Sequence, residues 1–136
     1  SSDEKLTEEE VAKVVGAPGA HTVNEFVSAL AAKDTATAIS QFHTALASGS
    51  EAKTFILLAL SKVRAVLLLR FAPKLEAELA GQFGEDDLKL LKELAGKDGA
   101  AINAALLSEL ITALLETSRS PMPQIPLELA LYRALG

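Results

Sequence analysis

Between Ala52 and Phe71 (AKTFILLALSKVRAVLLLRF) the apolar residues do not keep to one side of a helix. Phe55, Ile56, Leu57, Leu58, Leu60, Val63, Val66, Leu67, Leu68 and Leu69 wrap most of the way round at about 100° per residue. A helix apolar on nearly every side must be surrounded by its own domain, by a membrane or by partner subunits. Ser61, Lys62 and Arg64 interrupt the run well short of the ~18 residues a membrane span needs. The segment therefore reads as a soluble core helix from Glu51 to about Arg70, ending or kinking before Pro73, because the residue before a proline is pushed from helical angles.

The other elements follow from caps and breaks. Thr7 with Glu10, and Thr22 with Glu25, fit the capping box and predict two helix starts. The first helix is short and stops at Gly16-Ala-Pro-Gly19; the second runs from about Val23 to Lys33 with Val23, Phe26, Val27 and Leu30 inward. Asp34 reads as the cap of a third helix through Ile39, Phe42 and Leu46, stopped at Ser48-Gly49-Ser50. After the long helix, Lys74 to Leu79 makes a further turn or two and Gly81 to Gly84 breaks it. Glu85-Asp86-Asp87 places three carboxylates at the start of the next helix, the end where the macrodipole favours them. That helix reaches Ala95, and after Gly96-Lys-Asp-Gly99 an Ala/Leu helix spans about Ala101 to Glu116. The three prolines at 121, 123 and 126 make the segment after Ser118 an extended linker, with Pro126 as the first residue of a last helix carrying Leu127, Leu131 and Leu135 on one face.

Composition supports an all-α reading. The 136 residues are 49% apolar, mostly Ala and Leu, with no Trp, which favours helix over strand. The length fits one domain. Residues 1–6 read as an N-terminal tail or tag remnant and 7–136 as a single helical domain. No basic-then-apolar signal peptide opens the chain. The net charge of −5 comes largely from the first ten residues, and without a basic stripe a nucleic-acid surface is not expected. With no Cys there is neither a disulfide framework nor a thiolate metal site.

Candidate chemistry is sparse. His21 and His43 stand 22 residues apart without a carboxylate at a recurrent metal-ligand spacing. No nucleophile elbow, S-x-x-K or Walker A sequence is present, and Gly16-Ala-Pro-Gly19 lacks the Lys-Ser/Thr ending of a phosphate loop. Glu85-Asp86-Asp87 is explained by its helix start more simply than by Mg²⁺. Arg64 and Arg70 are less ordinary, since both fall in the most apolar helix. A guanidinium there must reach an edge or meet a carboxylate, either within the domain or across a subunit boundary.

Taken in order, these segments resemble a known family. Thr7-Glu-Glu-Glu-Val11 through Val14-Val15-Gly16 resembles the short first helix and "LLG" that open the C-terminal collar domain (domain III) of bacterial DNA polymerase III subunits gamma and tau. Phe26-Val27-Ser28-Ala29-Leu30, Lys33-Asp34, Ala38 and Gly49 resemble that family's "aLaakD…Al…l…G" helix pair. Leu60-Ser-Lys-Val-Arg64 with Leu67-Leu68-Leu69-Arg70 is similar to its "L…lR.LLL" central helix, and Ser120-Pro121 through Leu131 to its closing "sp.P.lpLElAli". The stretches around Phe71-Ala-Pro-Lys74 and Gly81-Gln-Phe-Gly84 depart from the pattern.

The resemblance implies a compact bundle of about six to eight helices around a central apolar helix, acting as an oligomerisation or scaffold domain of the clamp loader used in bacterial DNA replication. It implies no catalysis by this segment; ATP and zinc would belong only to AAA+ and related domains upstream. Partners would be a second copy and other clamp-loader collar domains, in the cytoplasm, with no direct nucleic acid, membrane or small-molecule substrate. Phe55, Leu58, Arg64, Leu68, Arg70, Leu127 and Tyr132 are the candidate subunit interface; catalytic, cofactor-binding and metal residues are not expected. The alternatives are the related collar of the delta subunit, an unrelated monomeric helical adaptor binding peptides in a groove, and a small helical enzyme.

Overall fold

A computed structural model describes residues 18–96 and 101–136. Within them the chain is all-α: seven α-helices, one 3-10 turn and no strand. The helices are α1 (Ala20–Ala31), α2 (Thr35–Ala47), α3 (Ala52–Phe71), α4 (Glu76–Ala80), α5 (Glu85–Ala95), α6 (Ala104–Thr117) and α7 (Ile125–Leu135), with the 3-10 turn at Pro73–Leu75. The helix predicted from Thr7, its capping box and the tail at 1–6 lie outside the described residues.

The aperiodic apolar pattern of α3 has its cause in its place at the centre. The helix packs against α1, α2, α5 and α6, and Phe55, Ile56, Ala59, Val63, Ala65, Val66 and Leu69 are buried. Phe26 of α1 and Phe42 of α2 meet Phe55 with ring centroids 4.9 and 5.1 Å apart, the first pair edge-on at 83°. Such pairs add about 0.5–1.5 kcal/mol each beyond the area they bury. Separately, α6 and α7 pack on one another, and α7 also reaches α2.

Lys62 is buried in the middle of α3. Its ammonium donates to Asn24 Oδ1 on α1 and to Asp87 Oδ2 on α5 at 3.2 Å, while Asn24 Nδ2 donates to Asp87 Oδ1 at 3.0 Å. The polar triad joins three helices through one point. Asp87 thus has a second role besides facing the positive end of α5, where Glu85, Asp86 and Asp87 occupy the first turn as predicted.

The turns after α1 and α2 use the same device. Past α1, Lys33 N–H donates to Leu30 O (3.1 Å) and Asp34 N–H to Ala29 O (2.9 Å); past α2, Gly49 N–H donates to Leu46 O (3.0 Å) and Ser50 N–H to Ala45 O (3.0 Å). Both are Schellman motifs. Each needs a left-handed residue, supplied by Gly49 at φ 98° and by Lys33 at φ 58°. Asp34 then caps α2, accepting from Thr37 N–H at 3.1 Å, as its position predicted.

Four local expectations are corrected. Thr22 is not a cap: α1 begins at Ala20 with extended Gly19 at the N-cap, which puts Thr22 inside the first turn. The Ala/Leu helix starts at Ala104 rather than Ala101, because Asn103 accepts from Leu106 N–H at 2.9 Å and fixes the start there. The last helix opens at Ile125, with Pro126 second, where its missing N–H still costs no intrahelical bond. The proline-rich linker is folded back rather than extended, since Thr117 Oγ1 donates to Pro123 O at 2.6 Å and Ser120 Oγ to Met122 O at 2.7 Å.

Candidate subunit interface

One side of α3 is left uncovered. Leu57, Arg64, Leu68 and Phe71 fall within about 60° of one another on the helix, taking about 100° per residue; Phe71 is 77% exposed and Leu57 51%. Helix α6, packed beside α3, leaves Ile111 and Leu115 exposed, and α7 leaves Leu129 and Tyr132. Scattered exposed leucines are normal, but this side of the central helix holds its two most exposed apolar residues and is the candidate surface.

The seven residues expected at an interface do not come together. Leu58, Arg64 and Tyr132 are exposed, and Leu68 is partly buried against the core. Leu58 lies about 100° round the helix from Leu57, over a groove that it lines with Val23, Phe83 and the Lys62–Asp87 pair. Phe55 and Leu127 are fully buried, which corrects their assignment: neither has surface to offer a neighbour. Both belong to the core stripe of their helices.

Arg70 is also corrected, because its guanidinium is already engaged. Nε donates to Ala95 O at 3.1 Å, Nη1 to Ile102 O at 2.6 Å and Nη2 to Leu94 O at 3.4 Å. It meets backbone carbonyls, not the carboxylate expected inside or outside the domain. Arg64 is exposed and makes no ion pair among the described residues.

Leu57, Phe71, Ile111 and Leu115, exposed in the structure, were not among the residues expected from sequence. The signal was present, since positions 57, 64 and 71 share a face at heptad spacing and Arg64 marks that face as solvent-accessible. Leu58 is exposed as well, on a different side of the helix.

The remaining polar groups serve the fold. His43 Nε2 pairs with Glu128 Oε2 at 2.6 Å, tying α2 to α7, and Arg133 Nε donates to Glu109 Oε1 at 2.9 Å between α7 and α6. The Asp34 carboxyl is held below its ordinary value by the Thr37 hydroxyl first and the Thr37 backbone N–H second. Among the described residues no group of three or more His, Asp or Glu side chains is placed to hold a metal ion, and no helix is long and apolar enough to cross a membrane.

One comparison with known proteins finds a match. A family model described as DNA polymerase III subunits gamma and tau domain III matches residues 6–136. The chain belongs to that family. Searches of curated proteins and of solved structures return no match. The match covers both stretches that depart from the gamma and tau pattern, so they are variations inside a domain III. The Phe71–Lys74 departure is the end of α3 and the 3-10 turn, and Gly81–Gly84 is the break between α4 and α5.

Proposed function

We propose that this domain III is an assembly module, joining its subunit to a second copy and to other clamp-loader collar domains without catalysing a reaction. The observation that carries the reading is the apolar row on the central helix, led by Leu57 and Phe71. Fully burying an exposed leucine or phenylalanine is worth about 1.5–3 kcal/mol, and Leu57 and Phe71 keep half or more of that exposure to cover, so several such residues per side favour association. Family membership supplies the context, since domain III is named as part of the gamma and tau subunits of DNA polymerase III. In this reading ATP and zinc chemistry belong to other domains, and clamp-loader assembly for DNA replication in the bacterial cytoplasm is the setting.

The test is sedimentation velocity of the chain across a thousandfold concentration range, alone and mixed with collar domains of other clamp-loader subunits. A concentration-dependent shift to larger species supports the reading. A chain that stays monomeric alone and in every mixture contradicts it.

A further inference from the structure

We propose that Arg70 is the positioning residue of this association surface, holding α6 in place against α3; the proposal rests on the assembly reading above. Arg70 lies in the last turn of α3, where a cation suits its own helix's negative end. Its guanidinium instead reaches the Leu94 and Ala95 carbonyls at the end of α5 and the Ile102 carbonyl just before α6. The last four carbonyls of a helix have no intrahelical donor. In α5 the Gly96 amide serves Lys92 and Glu93, and Arg70 serves the two that follow.

A guanidinium is a rigid fork whose donors diverge in a plane. Accepting three of them at once fixes the end of α5 and the start of α6 relative to α3. Ala101 and Ile102 are buried there, and Asn103 then caps α6. Helices α3 and α6 are the packed pair whose outer sides carry Leu57 and Phe71 on one and Ile111 and Leu115 on the other. Arg70 therefore sets how those two apolar rows stand to each other while touching no partner itself.

The experiment compares wild type with Arg70→Lys, which keeps the charge and stem but loses the fork. Val27→Ala on α1, a fully buried site away from α6, serves as the stability control. Folding is followed by circular dichroism, association by sedimentation velocity, and the start of α6 by amide hydrogen exchange. R70K is expected to fold, to exchange at least tenfold faster over residues 106–109, and to associate at least tenfold more weakly, with V27A associating within threefold of wild type. R70K associating within threefold of wild type, or V27A losing as much as R70K, overturns the proposal. Wild type supplies a second arm that needs no variant: assembly must slow exchange over 106–109, because coupling between two events is reciprocal. Unchanged exchange there overturns the proposal even if R70K fails to fold. A wild-type chain that never associates overturns the assembly reading and this proposal together, whereas association insensitive to Arg70 overturns this one alone.

Discussion

Lys62 Nζ stands 3.2 Å from Asp87 Oδ2, with the lysine side chain 8% exposed and the aspartate 27%. The asymmetry in exposure decides what each half of the pair is worth. Without Asp87, a buried ammonium keeps only Asn24 as partner; without Lys62, the carboxylate still reaches water and Asn24. Asp87→Asn is therefore expected to cost about 3 kcal/mol, and Lys62→Met about 1 kcal/mol or less, because its long apolar chain replaces the lysine stem. Urea denaturation of the two variants measures this. Equal losses, or the reverse order, would show that the burial difference does not govern the pair.

The matched turns at Lys33 and Gly49 make a paired prediction. Both residues adopt left-handed angles, which cost an ordinary side chain about 1–2 kcal/mol. Lys33→Gly relieves that strain but frees the unfolded chain, so a net gain of roughly 0.5–1 kcal/mol is expected. Gly49→Ala should lose about 1 kcal/mol, and the loss is purely one of backbone conformation, because a Cβ there meets nothing within 4 Å. Thermal melts of the two variants should move in opposite directions.

Asp34 gives the chain an acid-dependent contribution of known sign. Its folded pKa lies below the ordinary value of 3.8, so the folded state favours the carboxylate. The associated stability is fully present above that ordinary value and disappears as pH falls through the lower, folded one. Asp34→Asn keeps a good capping side chain without the titration. The stability difference between wild type and D34N should shrink steadily as pH falls below about 4; a constant difference would contradict the assignment.

Helix order and class were legible because Ala- and Leu-rich segments alternate with Gly, Pro and Asp breaks, and Asp34 as a cap was legible from local chemistry alone. The Thr22 cap was not, because extended Gly19 starts the helix three residues earlier and leaves Thr22 inside its first turn. Arg70 was conspicuous in sequence but its partners were not: carbonyls at 94, 95 and 102 carry no side-chain signature. For the interface, the surplus of apolar residues on α3 was visible, yet Phe55 and Leu57, two positions apart, proved to be one core and one surface residue. Which side the neighbours cover is set by packing, not by the helix's own pattern.

The central claim is that the exposed α3 row mediates association, and the most direct measurement is sedimentation velocity of wild type beside a Leu57→Glu, Phe71→Glu double variant. Both residues are more than half exposed, so the variant should keep the wild-type helical signal and melting temperature. Leu127→Glu, which forces a carboxylate into the core, should instead unfold the chain. The account predicts a folded double variant that remains monomeric at concentrations where wild type associates. A folded double variant that associates as wild type does would contradict it.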